Sequence, residues 1–205
     1  MATRPAGLGV APHSGWAALV ALGGDPRRPD VLLRQRIAMT GRKLPGPNQP
    51  YHAVEELPVA RAAPLLERWL QSATTLAAQE LRAATRALDE QGFRPRGLAI
   101  LQSNGRQGKD LASILASHAL IHTADGDHFR TALARAAESC GLAAARVRQK
   151  ELHEGAAAAL KRPIGELQDY VAGLGKTVGP PWTADQKAAA LLAWLTLIEQ
   201  EEPRA

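Results

Sequence analysis

The first forty residues of the chain contain three short apolar segments that are separated by tight turns. In the third segment, Leu33, Gln35 and Ile37 alternate with Leu32, Arg34 and Arg36, which is the period of two of a half-buried strand with one basic face. Glycine and proline punctuate the ends of all three segments. The pattern therefore predicts three consecutive antiparallel strands, at residues 7–12, 16–23 and 31–38. A sheet that begins in this way needs helices to cover its faces.

The segment after these strands predicts one long helix. A proline-rich connector at 45–50 leads to Tyr51 and His52, and a helix is expected to open at Pro64, since proline is favoured in a first helical turn. An apolar stripe with the helical period follows, and Gly92 is expected to end the helix.

Beyond Gly92 the chain alternates between short apolar runs and helical patterns. Two further strands are expected at 97–102 and 144–149. Thr183 and Gln186 have the spacing of a capping box and predict the start of the last helix. The other helices are expected from about residue 110 through a histidine pair, and at 127–140, 150–160 and 164–174. The order predicts an α/β fold: a mixed five-stranded sheet flanked by helices, in one domain over 1–205 with disordered ends at 1–6 and 201–205.

Composition limits the class of protein. A chain of 205 residues with 45% apolar content can bury a substantial core. Cys140 is the single cysteine, which excludes an internal disulfide framework and a cysteine-rich zinc site. No segment reaches the length of uncharged apolar sequence that a membrane helix needs. We therefore expect a soluble cytoplasmic protein that does not contact a membrane, and the richness in Ala, Arg and Gly points to a GC-rich bacterial genome.

The positive charge is concentrated at the start of the sequence. The chain carries a net charge of +5, and residues 1–50 contain seven basic residues against two acidic ones. A basic N-terminal part beside a neutral body is the arrangement expected of a surface that binds phosphate backbones. The alternative is that these side chains are simply solvated. The predicted contact surface for a polyanion consists of Arg27, Arg28, Arg34, Arg36, Arg42 and Lys43.

Three of the six histidines lie within eleven residues and provide the best candidate for chemistry. His118 and His122 are four apart, which on a helix places both imidazoles on one face, close enough to share a metal ion with Asp125 nearby. A zinc protease is disfavoured because Ala119 stands where that motif carries its glutamate base. The alternative is structural: His118 packs at a helix end, and Asp125 or Asp127 caps the next helix.

The order of predicted elements resembles the ribonuclease H-like fold. Locally, the segment Gly-Val-Ala-Pro-His-Ser-Gly-Trp at 9–16 looks like the first hairpin of the RuvC-type Holliday-junction resolvases, whose pattern is Gly-Ile-Asp-Pro-Gly-Ser. Asp185 resembles the acidic residue that those nucleases carry at the start of their last helix. The resemblance implies a nucleic acid as partner and a pair of divalent metal ions that position a water and stabilise the leaving oxygen.

Two positions depart from that family's pattern. Ala11 stands where the family has an aspartate on the first strand, and the end of the fourth strand carries Gln102 and Ser103 in place of an acid. Magnesium ions need charged oxygen ligands, so the ordinary resolvase mechanism is not expected. Two possibilities stay open: a divergent metal-dependent phosphodiester hydrolase, with a divalent ion of open identity, or a catalytically degenerate relative that binds nucleic acid.

For the hydrolase, we expect His13, His118 and Asp185 as the catalytic residues, meeting with His122 at one end of the sheet, because strand ends and helix starts point to one crevice. The metal ligands would be His118, His122 and Asp125. A different function is also open, since the same crevice could bind or hydrolyse a small phosphorylated metabolite. The predicted phosphate contacts are Ser14, Ser103, Asn104, Arg34 and Arg36.

Overall fold

The computed structural model describes residues 3–41, 46–105 and 110–199. Its sheet has five strands in the order β3-β2-β1-β4-β5. Their bounds are β1 Arg4–His13, β2 Trp16–Gly23, β3 Asp30–Ala38, β4 Phe93–Gln102 and β5 Ala143–Arg148. The mixed five-stranded sheet flanked by helices, predicted from the sequence, is confirmed.

Strand directions bring several chain segments to one edge. β2 runs antiparallel to both β1 and β3, whereas β4 and β5 run parallel to β1. The carboxyl ends of β1, β3, β4 and β5 therefore lie at the same edge as the β1–β2 turn. We call this edge, marked by His13, Ala38, Gln102 and Arg148, the carboxyl edge. The β2–β3 turn lies at the opposite edge.

Helices cover both faces of the sheet. One face packs against α1 and α3, and the other against α4, α5 and α6, so that the sheet separates two apolar clusters. The helices are α1 Val59–Glu90, α2 Leu111–Leu115, α3 His118–Ser139, α4 Leu152–Leu160, α5 Ile164–Val178 and α6 Ala184–Ile198.

Two glycines of β1 allow α6 to lie unusually close to the sheet. A Cβ atom on Gly7 would stand 1.9 Å from the carbonyl oxygen of Ala193, and one on Gly9 would stand 2.0 Å from that of Ala189. Two strand residues and four helix residues both span about 6 Å, so this contact repeats in register along the two elements. When this pairing of two strand residues with four helix residues is continued, the first turn of α6 lies at the end of β1.

The strands lie where the sequence predicts them, but β1 and β4 begin earlier. Residues 4–6, expected to be disordered, start β1, and the backbone N–H of Arg4 donates to the carbonyl of Gly92 at 3.0 Å. The long helix also begins earlier, at Val59, so that Pro64 lies inside it. The predicted disordered end at 201–205 lies outside the described residues.

The helix that carries the histidine pair differs more from the prediction. A break was expected near Asp127, but α3 runs without interruption from His118 to Ser139, and the break lies between α2 and α3. Asp125 therefore caps no helix. Its carboxylate instead binds the backbone N–H of Tyr51 and the ring of His52, both in the connector before α1. The carboxylate therefore does not compete with the helix for backbone hydrogen bonds.

Two observations bear on the expectations from composition, one on membrane-spanning helices and one on the single cysteine. No helix in the described ranges is both long enough and apolar enough to cross a bilayer. Cys140 is a free, half-buried thiol that packs beside the α1 and α3 core, and its Sγ lies 3.7 Å from the carbonyl oxygen of Ala78.

Candidate functional site

His13 and Asp185 meet at the carboxyl edge. His13 Nε2 lies 3.0 Å from Asp185 Oδ1, and the imidazole stacks on Trp16 with ring centroids 4.3 Å apart. The guanidinium of Arg36 also lies over the Trp16 ring, 4.2 Å from its centroid. Strand register positions Trp16 directly opposite His13, and the α6 contact with β1 positions Asp185. The result is an imidazole with a fixed orientation, open to solvent and bound to a carboxylate.

Three histidines form a second group, which we call the histidine cluster: His52, His118 and His122. One ring nitrogen from each lies within 4.8 Å of the other two. His118 and His122 are one helical turn apart on α3, and their Nε2 atoms are 3.0 Å apart. The His52 ring meets them edge to face, with its centroid 5.3 Å from that of His118 and 4.5 Å from that of His122.

Asp125 holds His52 in this position. Its buried carboxylate binds Nδ1 of His52 through one oxygen and accepts the backbone N–H of Tyr51 at 2.6 Å through the other. Because Asp125 occupies Nδ1, Nε2 is the nitrogen of His52 that remains for a ligand. Asp125 was predicted as a metal ligand beside His118 and His122. In the structure, the residue beside the pair is His52, and Asp125 contacts the ring of His52.

Both groups lie at the carboxyl edge. Ser14, in the β1–β2 turn, and His52 line one cleft together with Asn48. On the other side, the loop after β4 contacts α3 beside the cluster, since a Cβ on Gly105 would stand 2.7 Å from the hydroxyl of Thr123. The predicted residues thus assemble as two groups on neighbouring parts of one edge, His13 with Asp185 and His118 with His122.

A third feature of this edge is a cleft of about 660 Å³ between the ends of β4 and β5, which we call the basic cleft. It is lined by Gln102, Ser103, Asn104, Gly105, Arg146, Arg148 and Lys150. The hydroxyl of Ser103 is buried and has no hydrogen-bond partner among the residues that the structure describes. Asn104 accepts the backbone N–H of Lys150 at 3.2 Å, which ties the two loops of the cleft together.

The predicted arginine surface is divided by the fold. Arg34 donates to the carbonyl oxygens of Val178, Gly179 and Pro181, at 3.3, 2.9 and 2.6 Å, so its guanidinium is used to satisfy the end of α5. This role argues against a phosphate contact for Arg34. Arg36 remains exposed at the carboxyl edge.

The other members of that surface lie elsewhere. Arg27 and Arg28 belong to the β2–β3 turn, which is at the opposite edge of the sheet. There they line a separate cleft with Lys161 and Arg162. Arg42 and Lys43 lie outside the described residues. A single contact surface made of the first forty-three residues is therefore not what the fold presents.

Buried polar groups lie between α1, α3 and the connector, beside the histidine cluster. Burial lowers the pKa of His128 to about 4, although its ring donates to the backbone carbonyl of Trp69. Burial likewise raises the pKa of Tyr51, with the charges of Asp127 and Asp125 acting in the same direction. His128 is therefore a neutral core residue rather than a further ligand.

The donor set at the carboxyl edge does not fit a pair of magnesium ions. Ala11 is buried at the end of β1, and Gln102 uses its amide to donate to Asp127 at 3.1 Å. Asp127 is bound by Arg146 at 3.1 Å, and Asp125 and Asp185 are each bound by an imidazole. Two hard cations need several free carboxylate oxygens, which the described part of this edge does not supply.

Comparison with solved structures decides the type of fold. The RuvC of Thermus thermophilus in complex with a Holliday-junction substrate superimposes with a TM-score of 0.52 at 13% identity, over 97% of this chain and 96% of that one. The fold is ribonuclease H-like, of the RuvC type. A second RuvC structure from that organism gives a TM-score of 0.51 at 14% identity, over 93% and 91% of the two chains. No protein-family model and no curated protein matches the sequence.

The sequence did not reveal two features of the carboxyl edge, His52 and the basic cleft. The sequence assigns His52 no role beyond its place after the proline-rich connector, because nothing in it connects His52 to a helix more than sixty residues later. The basic cleft was missed because charges beyond residue 50 cancel along the chain. A local signal was available: Arg146 and Arg148 alternate on the predicted fifth strand, and Lys150 continues the period of two.

Proposed function

We propose that the protein binds nucleic acid at the carboxyl edge, through phosphate contacts in the basic cleft, and does not hydrolyse it by a two-metal mechanism. The observation that carries the proposal is the basic cleft itself. It combines cationic side chains with a buried serine hydroxyl that lacks a partner in the described residues. The RuvC bound to a Holliday junction has the same fold over nearly its whole length, which supports this class of ligand.

The charges of the cleft differ in how freely they can bind a phosphate. Arg146 is partly engaged, because it donates to Asp127 and to the hydroxyl of Thr131, each at 3.1 Å. Among the described residues, the side chain of Arg148 has only an exposed pair with Glu151 at 3.6 Å, a kind of contact that stabilises little in water. Lys150 is exposed. Arg148 and Lys150 are therefore the two cations that are most available to bind a phosphate backbone.

Strand geometry gives these cations a useful spacing. Arg146 and Arg148 lie two residues apart on β5, and Lys150 follows in a 3-10 turn over 149–151. Residues two apart on a strand lie about 6–7 Å apart and point to the same face, which is close to the distance between successive phosphates of a nucleic-acid strand. A chain of phosphates therefore fits this row better than a single small phosphate does, which favours nucleic acid over a phosphorylated metabolite.

The test is binding measured as a function of salt. The Arg148→Gln/Lys150→Gln variant and the wild type are titrated with single-stranded, duplex and four-way-junction DNA by gel shift. We expect weaker binding by the variant, and a slope of log K against log salt that is shallower by about 1.4–1.8, because two phosphate contacts are lost. Arg27→Gln/Arg28→Gln removes the same charge at the opposite edge and should leave the slope unchanged.

Four results would contradict the proposal. Equal slopes for the two double variants would show that binding is spread over the surface, and the absence of binding by the wild type at low salt would exclude nucleic acid as a partner. Displacement of DNA by millimolar inorganic phosphate would instead favour the phosphorylated-metabolite function. In a parallel reaction with Mg²⁺ or Mn²⁺ we expect no cleavage, and cleavage would favour a divergent hydrolase.

A further inference from the structure

We propose that the histidine cluster is a binding site for one transition-metal ion, with Nε2 of His52 and one ring nitrogen each of His118 and His122 as ligands and Asp125 as the residue that orients His52. The site is formed by the connector before α1 and by the first two turns of α3. It does not depend on nucleic-acid binding, because none of these residues lines the basic cleft.

The distances are close to those that a bound ion requires. With Zn–N bonds of about 2.0–2.1 Å and tetrahedral angles, two ligand nitrogens stand about 3.3 Å apart. The Nε2 atoms of His118 and His122 are 3.0 Å apart, and all three ligand atoms lie within 4.8 Å of one another. Small rotations of exposed rings cover the remaining difference.

Asp125 gives the cluster the support that metal-bound histidines typically have. A histidine ligand usually donates its other ring N–H to a carboxylate, which fixes the tautomer and the orientation of the ring. The Asp125 carboxylate is 3% exposed and is itself held by the backbone N–H of Tyr51.

The ligand types select the kind of ion. Three neutral imidazoles and no carboxylate suit zinc, copper, nickel or cobalt, whereas magnesium and calcium require oxygen ligands. Three protein ligands leave a fourth position of a tetrahedral ion for water or another small ligand. His118 and His122 are exposed, so an ion can reach the site from solvent.

The experiment uses full-length protein without a histidine tag, stripped with a chelator and free of nucleic acid. Co²⁺ is titrated by visible absorption and Zn²⁺ by calorimetry. We expect one ion per chain and the intense absorption of tetrahedral Co²⁺. Replacing His52, His118 or His122 by Ala should abolish this signal, whereas His153→Ala, at an exposed histidine of α4, should leave it intact.

Asp125 is tested as a positioning residue. Asp125→Asn should weaken Zn²⁺ binding by about 10–100-fold, the usual effect of losing the carboxylate behind a ligand histidine, while the Co²⁺ spectrum keeps its tetrahedral form at saturation. Glutamine in place of His118 or His122 provides variants that retain a polar side chain if alanine prevents folding. Mg²⁺ should not compete with Zn²⁺.

The proposal would be overturned if the wild type bound Co²⁺ only as an octahedral, pale species, or if His153→Ala reduced binding as much as His118→Ala. It would also be overturned if the wild type bound no Zn²⁺ while remaining folded. None of these results bears on DNA binding, so the site and the proposed function are tested separately.

Discussion

His128 makes the stability of the protein depend on pH in a way that can be measured. The ring is 6% exposed, packs edge-on against Tyr51 and Phe129, and has a pKa of about 4 against 6.5 for a free histidine. Between these two values the unfolded chain binds a proton that the folded chain excludes. The free energy of unfolding therefore falls as pH decreases from about 6.5, and the loss is complete below about pH 4.

The size of the effect follows from the difference in pKa. A difference of about 2.5 corresponds to roughly 3 kcal/mol at full protonation, of which about 2 kcal/mol is lost between pH 7 and pH 5. His128→Gln removes the titrating group and keeps an N–H that can donate to the Trp69 carbonyl. We expect this variant to be less stable at pH 7 but to lose about 2 kcal/mol less than the wild type on going to pH 5.

The assay is urea unfolding from pH 7 to pH 4, in buffer with a chelator so that metal binding does not contribute. Other groups titrate identically in both proteins and cancel in the comparison. His153→Gln, at an exposed histidine, is the matched control and should follow the wild type. If the curves of wild type and His128→Gln run parallel with pH, the ring is not neutral through burial and the argument is refuted.

Three further outcomes can be measured by urea unfolding at pH 7. Gly9→Ala should lower the free energy of unfolding by at least about 3 kcal/mol or prevent folding, since its Cβ would meet a backbone atom 2.0 Å away. Gly173→Ala is the control: a Cβ there has nothing within 4 Å, so the change should be neutral or stabilise by up to about 1 kcal/mol. Arg34→Gln should lower the free energy of unfolding by roughly 2 kcal/mol, because the end of α5 loses hydrogen bonds from a charged donor. The salt dependence of DNA binding should not change, and an altered salt slope would show that Arg34 contacts phosphate. Asp185→Asn should change stability by less than about 1 kcal/mol, as its pair with His13 is over one-third exposed; a larger loss would make the pair structural.

The elements of the fold could be predicted because their signals are local. The period of two around Arg34 and Arg36 identified β3, and the Thr183 capping box identified the first residue of α6 to within one position. Local signals also produced the errors. Asp125 and Gly126 look like the start of a helix, but Asp125 binds a segment more than seventy residues earlier in the chain, and α3 passes through both residues.

The candidate sites divide in the same way. Ala11, Gln102 and Ser103 already indicate in the sequence that a two-magnesium centre is not expected, because this depends only on which residue types occupy the strand ends. The partners of the remaining residues depend on contacts between distant segments. Gly7 and Gly9 bring α6 against β1 and so join Asp185 to His13, and Asp125 places His52 between His118 and His122.

The sequence by itself thus determined most of the secondary structure, the class of fold and the absence of the usual acids, since periodicity and residue type are properties of short segments. Only the tertiary structure decided which charges share a surface. Arg27 and Arg148 are equally basic in the sequence, yet parallel pairing of β1, β4 and β5 places Arg148 at the carboxyl edge and Arg27 at the opposite one. Electrostatic attraction depends on distance in space, and strand direction sets that distance.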